Sequence, residues 1–163
     1  MKLKRVLAAA SLLVAPPLAP VLAPANAQQA GVYASGGYAF FDGDGGAELG
    51  AIMARVGANL SPNFAIEAEA AIGVKDDSGT ELDNELGVFV LAKAPISPSF
   101  DVFARLGLGR IETSPGGTED GLAYGVGGTL NLSPVDGLRL DYTRHDYDAG
   151  EVDVFALSYV RGF

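Results

Sequence analysis

Between Phe64 and Val74 every second residue is apolar. Phe64, Ile66, Ala68, Ala70, Ile72 and Val74 fall on one face of an extended strand, and Glu67 and Glu69 fall on the other. The same period of two runs through 100–110, where Phe100, Val102, Ala104, Leu106 and Leu108 oppose Asp101, Arg105, Gly107 and Gly109. It runs again through 122–132, with Leu122, Tyr124, Val126, Leu130 and Leu132 against Ala123, Gly125, Gly127, Thr129 and Asn131. The face opposite the apolar one is glycine and alanine with scattered charges, which is no continuous hydrated surface. A soluble barrel needs its apolar face inside and its charges outside. A continuous apolar face ending in Phe and Tyr, backed by small residues and isolated charges, suits strands that meet lipid outside and fill a narrow lumen inside.

A second regularity sets how the strands are joined. "NLSPNFAI", "PISPSFDV" and "NLSPVDGL" place Pro62, Pro98 and Pro134 at intervals of 36 residues. A fixed period of this size marks a repeated supersecondary unit. Eight strand-like runs begin at Gly31: 31–41, 47–60, 64–74, 84–96, 100–111, 121–132, 138–147 and 151–163. Most exceed the usual strand length of a soluble protein. Their connections alternate between the tight Ser-Pro type and a longer acidic, glycine-rich type ("DGDGG", "KDDSGTELD", "ETSPGGTED", "DAG"). The unit is therefore a β-hairpin, and proline suits its turns because it fixes φ and needs no ladder partner there. An even number of strands with alternating short and long connections predicts an all-β fold, an eight-stranded antiparallel up-and-down transmembrane β-barrel. Closure satisfies every backbone group in lipid. The Ser-Pro units are then periplasmic turns and the acidic stretches external loops.

The amino terminus reads as an export signal. "MKLKR" is basic, the following run to Pro24 is apolar but interrupted by Pro16, Pro17, Pro20 and Pro24, and "ANA" supplies small residues at Ala25 and Ala27. This predicts a signal peptide over 1–27, cleaved after Ala27, and a single barrel domain over 28–163. The prolines argue against a helical anchor. Without Lys2, Lys4 and Arg5 the remainder carries 8 basic against 20 acidic side chains, a balance that excludes nucleic acid as a partner. There is no cysteine for disulfides or lipid attachment.

The terminal hairpin "LRLDYTRHDYDAGEVDVFALSYVRGF" sets Phe155, Leu157, Tyr159 and Phe163 in one phase, with Ser158 and Gly162 behind them. With the strand count and the export signal, it resembles the small eight-stranded outer-membrane β-barrel family, which includes the membrane domain of outer membrane protein A, outer membrane protein X and the attachment-invasion proteins. The resemblance spans 31–163. It implies an outer-membrane location in a Gram-negative envelope and a C-terminal barrel-assembly signature formed by those four residues. It also implies outer-membrane lipid, lipopolysaccharide and the barrel-assembly machinery as partners, and a monomer, with the external partner of the loops left open. Arg161 departs from the pattern by occupying the outward phase. Unlike full-length outer membrane protein A, the chain is expected to hold the barrel alone, with no peptidoglycan-binding domain after Phe163.

Eight strands leave room inside only for side chains. The inward phase predicts a lumen holding Arg55, Glu67, Glu69, Glu85, Lys93, Asp101, Arg105, Arg139 and Asp141. Confined charges persist when paired, so an ion-pair network is expected, with Arg105 and Arg139 bound to Glu67, Glu69 or Asp141. Glycines inside the strands, Gly36, Gly57, Gly87, Gly107 and Gly109 among them, are expected to make room for these side chains. The leading function is a structural or surface-interaction role without a large pore, and no catalytic, cofactor or metal set is assigned. The competing reading is a lipid-modifying enzyme of the lipid A deacylase kind using His145, the sole histidine; no serine lies beside it in phase, and an interfacial place for it is preferred. A third is a soluble periplasmic barrel with an apolar ligand inside. "DGDGG" starts like a calcium loop but has Gly46 where an acid or Asn is needed and Met53 where Glu is needed. The acidic loops are read as hydrated tips, with divalent cations shared with lipopolysaccharide phosphates as the alternative.

Overall fold

Alternation resolves into a closed wall. The computed structural model describes residues 31–43, 48–77, 79–148 and 150–163. Its strands are β1 (Val32–Gly43), β2 (Glu48–Asn59), β3 (Phe64–Lys75), β4 (Glu81–Ser97), β5 (Phe100–Ser114), β6 (Gly117–Asn131), β7 (Asp136–Tyr147) and β8 (Glu151–Gly162). Each pairs antiparallel with the next in sequence, and β8 returns to β1, where Phe40 faces Phe155 and Tyr38 faces Leu157. The expected signal peptide and Asp44 lie outside the described residues.

The apolar phase points outward. In β3 the residues from Phe64 to Val74 alternate between exposed apolar and buried side chains, with Ile72 65% exposed and Glu67 only 3%. Ile52, Val88, Leu108, Val126 and Leu140 continue the exposed belt around the wall. Burying apolar side chains is worth about 25 cal/mol per Å², so a belt left this bare is stable only against lipid. The arrangement overturns the soluble ligand-binding reading, which needs the apolar face inside.

The Ser-Pro repeats form two turn geometries. After β2 and β6 the turns span four residues, 60–63 and 132–135; between β4 and β5 only Pro98 and Ser99 intervene. What they share is the serine. Ser61 Oγ accepts from the Asn63 and Phe64 amides (3.3 and 3.1 Å), and Ser133 Oγ from those of Val135 and Asp136 (3.2 and 3.0 Å). Ser97 Oγ accepts from the Ser99 amide at 3.3 Å. Serine thus satisfies amides that the hairpin bend removes from the ladder, and proline, which has none, needs no such partner.

The largest departures from the sequence reading are the loop-side ends of β4, β5 and β6. The stretch 112–120, expected as an acidic loop, is mostly ladder: Glu112 pairs with Thr118 and Thr113 with Gly117, leaving Pro115 and Gly116 at the tip. Glu81 likewise joins β4 and pairs with Ser114, with a bulge at Asp83. Both faces of this extension lie beyond the apolar belt, so its residues carry no alternation to read. Cross-strand contacts hold it instead: Arg110 donates to Asp120 at 2.6 and 2.9 Å, Asn84 to Glu112 at 2.9 Å, and Ser114 to Asp83 at 2.7 Å.

Candidate functional site in the barrel lumen

Inward-facing residues stack in three layers along the barrel axis. On the loop side Phe41, Leu49, Met53, Leu82, Ile111 and Tyr147 form a buried apolar cap, packed on Ala39, Ala51, Ala71, Val154 and Ala156. On the turn side Tyr33, Phe89, Leu91 and Phe103 form a second apolar layer. Between them sit the charges. The outward phase alone does not announce the cap: Phe41, Leu49 and Ile111 occupy the opposite phase, and Leu82 falls in a stretch expected as an acidic loop.

Register builds the charged layer. Arg55 on β2 stands directly opposite Glu69 on β3 in the ladder. Its Nε binds the Glu69 carboxylate, and its two terminal nitrogens donate to both Asp141 oxygens at 3.1 and 2.9 Å across the lumen. Arg105 on β5 donates to Glu69 Oε2 at 2.9 Å and Thr143 Oγ1 at 3.3 Å, and its Nη2 lies 3.4 Å from Glu67 Oε1. Arg139 on β7 donates to both Glu67 oxygens at 2.7 and 3.3 Å and through Nε to Asp141 at 2.9 Å. The Tyr33 hydroxyl completes the Glu67 shell at 3.0 Å. Two guanidinium groups stack on rings of the turn-side layer, Arg105 3.5 Å from the Phe89 centroid and Arg139 4.2 Å from that of Phe103. All six charged side chains are at most 3% exposed, and each faces at least two opposite charges, which offsets the desolvation that an isolated buried charge would suffer.

Glycines leave the space that inward side chains fill, as at Gly57 and Gly109. A Cβ on Gly57 would stand 2.2 Å from the Tyr33 ring, and one on Gly109 would stand 2.6 Å from His145 Nδ1. Gly36, expected to do the same, lies in the exposed phase and would meet nothing closer than 4.0 Å.

Three of the nine expected lumen charges stand apart from the network. Lys93 and Asp101 are half-buried at the turn-side mouth, a vestibule of about 730 Å³, and bind amides: Lys93 donates to Asn59, and Asp101 accepts from Asn131 at 2.8 Å. Arg139 lines the same vestibule, but its guanidinium is turned to Glu67 and Asp141. Glu85 is fully buried, yet among the described residues no protein group donates to either of its oxygens. It is paired in the ladder with Ala71 and Ile111, one step toward the cap from the arginines.

His145 is not interfacial. It follows Asp141 and Thr143 in the inward phase of β7, is 1% exposed, and lies with Nδ1 2.8 Å from the Tyr147 hydroxyl. Its ladder partner on β8 is Val152, whereas Ser158 stands opposite Arg139, so no Ser-His pair forms there. Phe155, Leu157, Tyr159 and Phe163 are all exposed on the outer wall. Arg161, also outward, donates to Asp136 at 3.2 Å beside the Pro134 turn, and the Tyr159 hydroxyl binds the same carboxylate. Pro62, Pro98 and Pro134 occupy the three connections on the turn side of the barrel.

A closed eight-stranded wall, apolar outside and densely packed with paired charges inside, defines a small outer-membrane β-barrel protein. The chain belongs to the outer membrane protein beta-barrel domain family, which it matches over residues 6–163, and it resides in the outer membrane. Solved structures share the architecture. The attachment invasion locus protein Ail of Yersinia pestis is 17% identical with a TM-score of 0.61, covering 83% of this chain and 99% of that one. The N-terminal β-barrel domain of Pseudomonas aeruginosa OprF is 12% identical with a TM-score of 0.67, covering 83% and 98%. Neisserial surface protein A is 18% identical with a TM-score of 0.59, covering 82% and 96%. At these identities the likeness is one of fold. No curated protein sequence matches the chain.

Proposed function

We propose that this barrel is a non-conducting, non-enzymatic envelope protein whose wall meets outer-membrane lipid and whose loop rim meets lipopolysaccharide. The observation that carries the reading is the transverse layer of Arg55, Arg105 and Arg139 locked onto Glu67, Glu69 and Asp141, roofed by the Phe41–Leu49–Leu82–Ile111 cap. An ion entering from the turn-side vestibule would have to break several charge-assisted hydrogen bonds and then cross an apolar layer. The wall residues Phe155, Leu157, Tyr159 and Phe163 serve the barrel-assembly machinery during insertion, and the finished protein acts as a monomer. The acidic loop rim, with Asp42, Asp76, Glu81 and Asp148 among its residues, keeps the tips hydrated.

Two measurements test this. Purified protein in planar lipid bilayers should give no stepwise current, and regular single-channel openings would refute the closed lumen. Lipid A from cells with and without the protein should have the same mass spectrum while the cells lacking it become more sensitive to detergent. A protein-dependent loss or gain of an acyl chain would replace the structural role with an enzymatic one.

A further inference from the structure

Glu69, Glu85 and His145 meet at the boundary between the charged layer and the cap, and one potential ligand atom from each lies within 4.8 Å of the others. All three side chains are buried. We propose that they form a transition-metal site that takes Zn²⁺. The argument starts from Glu85. A carboxylate at 0% exposure with no donor on either oxygen is unfavourable by itself, and the ladder beside it offers only Ala71 and Ile111. A dication supplies what no neighbouring side chain does.

The other two ligands are already oriented. His145 Nδ1 lies 2.8 Å from the Tyr147 hydroxyl, and the two rings stack with centroids 5.5 Å apart, which leaves Nε2 as the metal-binding nitrogen. An outer partner on the second ring nitrogen is the usual way a ligating imidazole is held in tautomer and angle. Arg55 and Arg105 both engage Glu69 through Oε2, and Oε1 takes no part in either contact. These bonds anchor the carboxylate while its other oxygen serves the metal. One imidazole with two carboxylates suits Zn²⁺ better than Ca²⁺ or Mg²⁺, which prefer oxygen alone. Tetrahedral ligands at about 2 Å from Zn²⁺ stand about 3.3 Å apart, so the ligand atoms, within 4.8 Å of one another, have to draw in, chiefly through Glu85, which no hydrogen bond holds in place. Gly109 leaves the space the imidazole occupies.

The apolar cap encloses the site, so metal must enter as the chain folds. The test therefore refolds the protein from urea into detergent with Zn²⁺ or Co²⁺ present and removes loose metal on a chelating resin. Elemental analysis should find close to one Zn²⁺ per folded chain. The Co²⁺ form should show the visible absorption of a low-coordinate nitrogen–oxygen site, and X-ray absorption on the Zn²⁺ form one nitrogen with oxygen neighbours. Glu85→Gln and His145→Gln should fold, as read by heat-modifiable mobility, and reduce bound metal to background. Tyr147→Phe should weaken retention against a competing chelator 10- to 100-fold. Wild-type protein that folds in Zn²⁺ yet holds none would overturn the site and leave Glu85 as a buried neutral acid. Equal retention by folded Glu85→Gln and His145→Gln, or displacement of Zn²⁺ by excess Ca²⁺, would overturn it too, by assigning the metal to the loop acids. Should neither variant fold, the wild-type metal content and spectra decide the matter alone.

Discussion

Arg139 reaches Glu67 with two nitrogens and Asp141 with the third, so Arg139→Met leaves Glu67 with Tyr33 and only the looser approaches of Arg105 at 3.4 Å and Arg55 at 3.8 Å. Breaking one side of a buried ion network typically costs about 3–5 kcal/mol, because the remaining charge stays buried. Urea titration of the variant folded into lipid vesicles should show a loss of that size. Arg139→Met with Glu67→Met should cost less than Arg139→Met alone, since the stranded carboxylate goes as well. Equal or additive losses would mean a wet lumen in which each charge is solvated separately. The inward placement of Arg139 and Asp141 follows from alternation in the sequence, because residues two apart share a face. Partner choice does not follow. Arg55 and Asp141 are 86 residues apart and meet only because closure brings β2 and β7 face to face across the lumen. His145 shows the reverse: the same alternation that turns Arg139 and Asp141 inward turns Thr143, His145 and Tyr147 inward, so strand phase places the histidine in the lumen and not at the interface.

At the scale of the element, the hairpin turns and the long β5–β6 extension differ in what holds them. Ser133→Ala removes the acceptor for two backbone amides, those of Val135 and Asp136. At about 0.5–1.5 kcal/mol per hydrogen bond, the variant should lose about 1–3 kcal/mol in the same urea titration, while Ser133→Thr should lose little. An unchanged midpoint for Ser133→Ala would show that proline alone shapes the turn. Arg110→Ala, by contrast, breaks an ion pair whose side chains are mostly exposed, at 59% and 64%. Water solvates both partners, so the barrel should unfold at an unchanged urea concentration. Strand number, order and the positions of the three Ser-Pro turns were legible, because each is written in alternation or in Ser-Pro punctuation. The strand ends on the loop side were not. In "ETSPGGTED" polar residues face water on both sides of a two-stranded ladder, and such a ladder looks like a loop in sequence.

For the whole molecule, the environment outside the wall decides which substitutions are tolerated, and one charge placed at two heights measures it. Leu140 lies midway along β7, 63% exposed in the outward phase; Val32 starts β1 at the turn-side edge, 57% exposed in a similar way. In water the two positions would respond alike, since an arginine on an exposed strand face disturbs little. In a bilayer they separate. An arginine at the midplane of a transmembrane strand costs about 2–4 kcal/mol, falling to about 0–1 near the interface, where the side chain extends into the headgroups. Arg161 already occupies such a place, outward and paired with Asp136 beside the Pro134 turn. Leu140→Arg should therefore lower the urea midpoint in lipid vesicles substantially, and Val32→Arg should hardly move it. Both should matter less in small, deformable detergent micelles that thin around the charge. Equal effects at the two heights would mean that the apolar belt does not span the hydrocarbon as its width around Ile52, Val88, Val126 and Leu140 requires. The strand phase, which places the charged network inside, would then have lost the lipid that makes that phase favourable.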